Sequence, residues 1–512
     1  ETLAYRDELA AKIGLTNTIN VNKEFEGGHS LNAVAGMEMF QGRWYTSSFT
    51  GYDLNADMME SPAGIGDKTG ASQYPPSIGG GRTMSNLLSF FMQASYSYKN
   101  RYNFSMSLRN DTSSKFYEKN ASATFWSVGA SWLISSEPWM QNIEWLNQLK
   151  LRASYGTTGN QDGVSDFGTF DGYSNSSYNG ESGYAHSQLG NSELRWETSA
   201  QTNVGIDFGA FDSRFNLTLD FYNIKTKDLY MSKNISLTSG FGSILANAGS
   251  IVNRGIEIGV NTTPIRTQNF QWDLGFNYTY NKNKITDLGT WSNDEGRYIN
   301  GYSIYELGRP IGTWYMAYYA GVSPENGMPV FYDDYGQLTT DINKAYMGSH
   351  YGSYEVPVFG GISTRLRYKG LQLDAQFTYA YDYTVMNCSR WYLDNHKFNG
   401  NKPTYMLNMW MKEGDVTNVP AFRDGIQPSP MASQFLEDAS YLRLKTLRLS
   451  WTLPETWMRK TRFIRNLTIY AQGENLYTWT GYRGADPEVN GGYDIMAYPK
   501  PRTITFGLDM NF

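Results

Sequence analysis

The chain has 512 residues and a formal net charge of −6, with 40% hydrophobic and 15% aromatic residues. This length suits several soluble domains or one large β-barrel, and no segment reaches the ~18 uninterrupted apolar residues of a transmembrane helix. The charge is spread along the chain without a basic block, which argues against a nucleic-acid partner. Cys388 is the only cysteine and the four histidines are scattered, so no disulfide, metal site or cofactor is predicted.

Apolar and polar residues alternate with a period of two through most of the chain, which is typical of β-strands with two different faces. The strands predicted in this way number about seventeen, and most have ~8–12 residues, enough to cross a bilayer when tilted. They lie near residues 15–22, 31–39, 90–98, 102–109, 126–134, 149–156, 201–208, 215–221, 256–260, 272–280, 302–307, 313–322, 362–368, 371–381, 447–453, 467–471 and 504–512.

The last predicted strand shows the pattern most clearly. Apolar side chains fill the even positions from Ile504 to Phe512, and small or polar side chains fill the odd positions from Thr503 to Asn511. A transmembrane β-barrel has strands of this kind, with the apolar side facing lipid and the polar side facing the lumen. A soluble β-sandwich also contains such strands, so the choice between the two depends on the rest of the chain.

The connections between the predicted strands alternate between short turns and long loops. Short turns are expected near 24–29, 99–101, 209–214, 262–270, 308–312, 369–370 and 454–463, and long loops near 41–85, 110–121, 157–195, 225–250, 283–300, 323–357, 383–437 and 475–500. Transmembrane barrels have short periplasmic turns and long extracellular loops, whereas a soluble array of strands has no reason to sort its connections by length. The predicted fold class is therefore all-β, a transmembrane antiparallel β-barrel.

Several segments form an ordered set that extends over nearly the whole chain. They are Arg109-Asn-Asp-Thr-Ser-Ser-Lys-Phe116, Leu149-Lys-Leu-Arg-Ala-Ser-Tyr-Gly-Thr-Thr-Gly-Asn-Gln161, Leu194-Arg-Trp-Glu197, Asn253-Arg-Gly-Ile-Glu257, Tyr441-Leu-Arg-Leu444, Glu474-Asn-Leu-Tyr-Thr-Trp479 and Gly484-Ala-Asp-Pro-Glu488. The first is similar to an Arg-x-Asp-x-Ser-Ser-x-Phe segment of the SusC/RagA family of TonB-dependent outer-membrane transporters. The whole set of segments resembles the motifs of that family, in the same order along the chain.

The resemblance implies a barrel of 22 strands with a plugged lumen in the full protein. Residues 1–512 are then expected to form the C-terminal part of that barrel, corresponding to about strands six to 22, with the plug domain and about five strands absent from this chain. The chain begins at Glu1 without a Met or a signal peptide, which we interpret as a processed or partial chain.

No catalytic constellation is recognisable, so the chain is not predicted to be an enzyme. Asp333 and Asp334 precede Gly336 as in a calcium loop, but the alternating acidic spacing of such a loop is lacking, and a solvated turn is the favoured interpretation. Glu257 and Asp509 lie on polar strand faces and are expected to face the lumen.

Aromatic residues in the long loops are the candidate substrate-binding residues. Sugar rings stack their apolar C–H faces on such side chains, although the same residues could instead pack the loops, anchor the membrane interface or bind a peptide. The predicted substrate-binding residues are Trp291, Tyr298, Trp391, Tyr392 and Trp410.

The function predicted from the resemblance is TonB-dependent active import of oligosaccharides across the bacterial outer membrane. The implied partners are a SusD-like surface lipoprotein, the TonB complex, outer-membrane lipid, and an oligosaccharide or peptide substrate. Import of oligopeptides by the same machinery, a passive porin and a surface-binding barrel are the alternatives. Porins normally have 16–18 strands, so the strand count alone does not exclude a porin.

Overall fold

The computed structural model describes residues 2–58, 61–66, 76–289, 296–398, 400–423, 426–461 and 463–512. Most of the regular structure is β-strand. In chain order the first strands are β1 (Thr2–Phe25), β2 (His29–Tyr52), β3 (Ser77–Tyr98), β4 (Tyr102–Ser113), β5 (Ser122–Leu133), β6 (Leu146–Asn160), β7 (Gly172–Tyr178), β8 (Glu181–Gln188), β9 (Glu197–Ala210), β10 (Phe215–Lys227), β11 (Tyr230–Asn234), β12 (Ser243–Asn247), β13 (Ser250–Arg266), β14 (Phe270–Asp287) and β15 (Arg297–Asn300). The later strands are β16 (Ser303–Glu306), β17 (Thr313–Trp314), β18 (Met316–Ala317), β19 (Tyr319–Val322), β20 (Pro329–Tyr332), β21 (Leu338–Thr339), β22 (Met347–Gly348), β23 (Val358–Tyr368), β24 (Leu371–Tyr381), β25 (Thr384–Asn387), β26 (Leu436–Asp438), β27 (Tyr441–Thr452), β28 (Asn466–Thr480), β29 (Tyr493–Asp494) and β30 (Thr503–Asn511).

Within the ranges given above, two short α-helices, α1 (Cys388–Asp394) and α2 (Glu455–Thr461), lie between strands. Asn387 caps α1, because its side-chain oxygen accepts a hydrogen bond from the backbone N–H of Arg390 at 2.8 Å. Helix α2 occupies the predicted turn near 454–463. Within the described part of the chain, no helix combines the length and the apolar character needed to cross a membrane.

The long strands form one sheet of fifteen strands, in the order β1-β2-β3-β4-β5-β6-β9-β10-β13-β14-β23-β24-β27-β28-β30. The pairings from β1 to β4 and from β13 to β30 are antiparallel. Each long strand therefore neighbours the long strands before and after it in the chain, which is the up-and-down order of a membrane barrel. Each of the fifteen overlaps one of the strands predicted from the sequence.

The predicted strands near 302–307 and 313–322 are wrong as members of this sheet, so the count of about seventeen strands is not confirmed. These segments form β16 to β19, which belong to small separate sheets. They are buried in consecutive pairs, since Ser303 and Ile304, Thr313 and Trp314, and Met316 and Ala317 are all 6% exposed or less, so they do not have one buried and one exposed face. The expected short turn near 308–312 consequently lies within a long connection between β14 and β23.

The chain divides into two compact units. Unit 1 comprises Glu1–Ala130, Ser154–Ala200 and Thr226–Ala248, and unit 2 comprises Ser131–Ala153, Gln201–Lys225 and Gly249–Phe512. In unit 1, β1 and β2 form a hairpin in which Thr2 pairs with Tyr52 and Phe25 pairs with His29. The predicted loop from 41 to 85 is thus shorter than expected, because β2 continues to Tyr52 and β3 begins at Ser77.

Unit 2 contains the hairpin of β23 and β24, joined by the predicted turn at Lys369 and Gly370. Both turn residues have positive φ, 45° and 90°, which is the geometry of the tight turns that best fit the twist of a hairpin. The terminal strand β30 pairs with β28, with Leu508 opposite Ile469. This pairing confirms the alternating strand predicted at the end of the chain.

The strands of unit 2 have one apolar and one polar face. Phe276 on β14 lies opposite Ile362 on β23, which lies opposite Phe377 on β24, and Phe276 and Ile362 remain 39% and 38% exposed. On the other face, the small residue Gly275 of β14 lies close to Ser363 of β23. A Cβ atom added to the glycine would meet the hydroxyl oxygen of this serine at 2.4 Å. A row of aromatic and branched residues exposed on a sheet is unfavourable in water but matches the lipid-facing surface of a membrane barrel.

Candidate functional site

The candidate site is the loop region of unit 2, which we define as the described residues of 296–357, 382–440 and 481–502. It contains β15 to β22, β25, β26, β29 and α1. Strand β25 pairs antiparallel with β26 and parallel with β29, so the connection between β24 and β27 and the connection between β28 and β30 contribute to one small sheet. Backbone hydrogen bonds therefore join these long connections to each other.

Two small hydrophobic cores stabilise the loop region. The first contains Trp314, Met316, Met386 and Cys388, and the indole N–H of Trp314 donates to the carbonyl of Thr384 at 2.9 Å. The second contains Ala317, Phe331, Ala345 and Ala432. Burial raises the pKa of the Cys388 thiol to about 11, so the thiol is protonated at neutral pH. Cys388 is thus a buried free thiol.

Arg443 joins the start of β27 to the final long connection. Its side chain is 2% exposed, and its guanidinium donates to the carboxylates of Asp486 and Glu488, the latter at 2.9 Å, and to the hydroxyl of Thr478 at 3.0 Å. Lys500 also contacts Glu488. The family-like segments 441–444 and 484–488 thus meet in one ion-pair cluster, so these motif residues have a structural role.

A second charged cluster lies around the buried carboxylate of Glu437. Arg390 of α1 and Arg483 approach this carboxylate at 3.3 and 3.0 Å, and the backbone N–H of Arg483 donates to it at 3.0 Å. Nearby, the hydroxyl of Tyr482 donates to Asp494 at 2.7 Å. Burial and this hydrogen bond to a carboxylate raise the pKa of Tyr482, so the phenol remains protonated. Both clusters connect parts of the chain that are distant in sequence.

The motif residues of unit 1 are also structural. Arg109 donates to Glu38 at 2.8 Å, and to Asp111 and Ser89 at 2.7 Å each. Phe116 of the same segment and two residues of one other segment, Leu194 and Trp196, belong to a hydrophobic core. This core also contains Phe125 and Val164, and Tyr230 and Leu245 pack against it.

Three of the predicted substrate-binding residues lie on or near α1 and the connection after it. Trp391 donates its indole N–H to the carbonyl of Pro428 at 3.0 Å, and its ring lies 4.6 Å from that of Tyr392. Trp410 donates in the same way to Pro324 at 3.0 Å. Both indole N–H groups are thus used in packing the loops, whereas Tyr392 is 39% exposed. Their role in substrate binding remains a prediction.

The other two predicted residues lie elsewhere. Tyr298 is half-buried on β15, and its ring lies 5.9 Å from that of Tyr305 on the neighbouring strand β16. Trp291 lies outside the described residues. Tyr298 therefore also remains a candidate, held by a strand pairing that the sequence pattern did not predict.

Sequence reasoning missed an exposed group of aromatic rings, which we call the tyrosine cluster: Tyr318, Tyr332, Tyr346, His350 and Tyr351. The ring of Tyr318 lies 5.1 Å from Tyr332, 5.8 Å from His350 and 6.2 Å from Tyr351. Backbone hydrogen bonds connect the first three residues, from Tyr332 to Tyr318, Tyr318 to Tyr346 and Tyr346 to Tyr332. These three side chains are 38–42% exposed, so part of each ring surface is accessible to solvent.

The aspartates considered for a calcium loop form a turn. One side-chain oxygen of Asp333 accepts the backbone N–H groups of Tyr335 and Gln337 at 2.9 and 2.8 Å. This is the hydrogen bonding by which Asp stabilises a turn without a metal. Among the described residues, no group of three or more His, Cys, Asp or Glu side chains is placed to hold a metal ion.

Up-and-down antiparallel strands with a lipid-compatible apolar face, capped by folded loops, define the class of transmembrane β-barrels. The chain belongs to the family described as TonB dependent receptor-like, beta-barrel, whose profile matches residues 4–356. This family consists of transporters and receptors of the bacterial outer membrane, and the chain is an outer-membrane β-barrel protein of this kind.

Comparison with individual proteins confirms the likeness to SusC and RagA. The chain is 30% identical to the TonB-dependent receptor SusC of Bacteroides thetaiotaomicron, covering 84% of this chain and 44% of that protein. It is 28% identical to the TonB-dependent receptor P39 of Formosa agariphila, covering 97% of this chain and 52% of that protein. A solved structure of the RagAB peptide transporter superposes with a TM-score of 0.89 at 29% identity, covering all of this chain and 56% of that one. The chain thus spans about half the length of these relatives.

Proposed function

We propose that the protein is a TonB-dependent outer-membrane importer of oligosaccharides, and that residues 1–512 form the C-terminal part of its barrel. The observation that carries the proposal is the combination of family membership with the loop region, which is folded and presents exposed rings. In such an importer the barrel provides the passage, and a plug domain elsewhere in the whole protein closes it. Energy comes from the TonB complex.

The tyrosine cluster supports an oligosaccharide as the cargo. Tyr318, Tyr332 and Tyr346 offer apolar ring faces together with phenolic hydroxyls, which suits a sugar that has apolar C–H faces and a hydroxylated edge. Their backbones are joined by hydrogen bonds, so little conformational entropy is lost when a ligand stacks on the rings. Tyr392 and the half-buried Trp391 add further rings within the same loop region.

The proposed partner is a SusD-like surface lipoprotein that covers the loop region. A folded loop region with two hydrophobic cores provides a stable surface for such a partner. The expected contacts include the exposed apolar side chains of the long connection after α1, among them Leu407, Met411 and Val416, which are 70–92% exposed. Several exposed apolar side chains on one connection favour a protein partner, because the partner would remove their apolar surface from water.

An oligopeptide importer is the second candidate. Its support is the TM-score of 0.89 with the RagAB peptide transporter, a likeness that extends over all of this chain. Aromatic rings also bind apolar peptide side chains, so the tyrosine cluster suits both cargoes. A passive porin is the third candidate, and it differs because its transport requires no energy.

The test uses cells that express the whole protein and its partner. Uptake of labelled oligosaccharides and labelled oligopeptides is measured before and after the proton-motive force is collapsed. Active import predicts that uptake stops, and uptake that continues unchanged would indicate a porin. Uptake of peptides alone would overturn the oligosaccharide proposal and leave active import intact.

Variants then test the tyrosine cluster as the cargo site. Tyr332→Ala should lower the affinity of the purified complex for its oligosaccharide by ~0.5–1.5 kcal/mol, or roughly two- to tenfold. Tyr335→Ala is the matched control, because Tyr335 is 88% exposed on the adjacent turn and contributes no ring to the cluster. Equal effects of the two substitutions in calorimetry would show that the cluster does not bind the cargo.

A further inference from the structure

Four basic residues lie on the outer face of unit 2, near the ends of three strands that lead into long connections. They are Lys225 on β10, Arg254 on β13, and Lys282 and Lys284 on β14, and we call them the basic cluster. All four side chains are exposed. Neither the resemblance nor the proposed import of oligosaccharides assigns them a role.

The register of β14 fixes which face these side chains occupy. Phe276, Tyr278 and Tyr280 form the apolar outer face of this strand, and Lys282 and Lys284 continue the same alternation. The pairing of β13 with β14 runs without a shift from Ile251–Ile285 to Thr262–Leu274. The lysines therefore point outward, away from the polar lumen.

Arg254 lies directly opposite Lys282 in this register. Like charges at opposed positions of an antiparallel pair destabilise a sheet, unless an anion lies between them. The side-chain oxygen of Asn223 on β10 accepts a hydrogen bond from Nε of Arg254 at 2.7 Å, which orients the guanidinium and leaves its terminal N–H groups available. Within the described ranges of the chain, none of the four basic side chains forms an ion pair.

The position of the basic cluster next to the apolar outer face of β14 indicates which kind of anion it binds. Tyr278 and Tyr280 come immediately before the lysines along β14, and tyrosines of barrel strands mark the boundary between the acyl chains and the headgroups. Side chains one step beyond that boundary lie at the level of the headgroup phosphates. A planar guanidinium binds two phosphate oxygens at once, while lysines add compact positive charge.

We propose that the basic cluster binds the phosphate group of a lipid headgroup in the outer leaflet. Ile256 and Ile258 on β13, with Phe276 on β14, form an apolar surface on the same face next to the cluster, along which an acyl chain of the same lipid can lie. A free phosphate ion would not use this surface. The combination of phosphate-binding donors and an adjoining acyl surface therefore favours a lipid.

The experiment uses the whole transporter, purified in detergent and freed of lipid. Native mass spectrometry measures the binding of short-chain phosphatidic acid, with diacylglycerol of the same chains as the phosphate-free probe and sodium phosphate as the lipid-free probe. The wild type should bind phosphatidic acid more tightly than diacylglycerol, and equimolar sodium phosphate should not displace the lipid. Each removed cation should weaken binding about fivefold, so Lys282→Gln with Lys284→Gln should weaken it about 25-fold.

The matched control is Arg459→Gln with Lys460→Gln on α2, which removes the same charge from an exposed position outside the basic cluster. This control should bind phosphatidic acid as the wild type does, and Arg254→Lys should retain more affinity than Arg254→Gln. Heat-modifiable gel mobility verifies folding, and Lys282→Gln alone replaces the double variant if that variant does not fold. Equal affinity for the two lipids, equal losses in the two double variants, or displacement by sodium phosphate would each overturn the proposal.

Discussion

Removal of the Arg443 side chain should open the final long connection without unfolding the strands. Arg443 is 2% exposed, while Asp486 is 16% and Glu488 43% exposed. Removing one partner of a fully buried ion pair costs about 3–5 kcal/mol, because a buried charge is left without compensation. Glu488 keeps Lys500 and is well solvated, so Asp486 is the carboxylate that is left uncompensated. We therefore expect Arg443→Met to cost about 2–3 kcal/mol.

Hydrogen exchange measured by mass spectrometry tests this expectation on peptides that cover 481–500. A cost of 2–3 kcal/mol corresponds to a rise of roughly 30- to 150-fold in the opening equilibrium, and hence in the exchange rate of protected amides. Arg459→Met is the matched control, since Arg459 forms an ion pair with Glu455 in which both side chains are more than three-quarters exposed. Its effect should stay below about 1 kcal/mol. Equal exchange in the two variants would refute the structural role of Arg443.

Three further predictions concern the faces of the strands, the topology and the buried thiol. Phe276→Arg should destabilise the barrel by ~2–4 kcal/mol in a refolding titration, and Thr218→Arg on the polar face should cost much less; equal costs would mean that the faces are exchanged. The loop that contains Lys397 is predicted to be extracellular and the turn at Lys369 periplasmic. In a Cys388→Ala background, Lys397→Cys should therefore react with an impermeant maleimide on intact cells, whereas Lys369→Cys should not. The reverse result would invert the topology. Cys388 of the native protein should react slowly with thiol reagents at pH 7 and faster as the pH rises towards its pKa of about 11, because only the thiolate is nucleophilic; fast reaction at pH 7 would contradict its burial.

The long strands were predictable because each meets two different solvents along its whole length. Lipid on one side and a polar lumen on the other impose a period of two, and this pattern located β24 and β30 to within a residue or two. The same pattern was misleading at Ile304 and Trp314, which are buried within the loops together with the preceding residues Ser303 and Thr313. A local pattern reports that a face is apolar, but it does not report which apolar environment the face meets.

The arrangement of the loops was less predictable, because it depends on partners that are distant in sequence. Aromatic residues were recognised as candidates from composition, yet the tyrosine cluster arises from backbone hydrogen bonds among Tyr318, Tyr332 and Tyr346. Likewise, Arg443 meets Asp486 more than forty residues later in the chain. Neither relation has a signature in the spacing of residues along a single segment.

The cores of the loop region also limit how such a protein can acquire new cargo. Trp314, Met316 and Met386 are 1% exposed or less, so an enlarged or polar side chain at these positions would strain the packing of two connections at once. Exposed positions such as Tyr332 and Leu407 carry no such constraint. A mutational search for altered selectivity should therefore find tolerated substitutions at the exposed rim of the loops. The buried interior should stay unchanged while the residues of the rim vary.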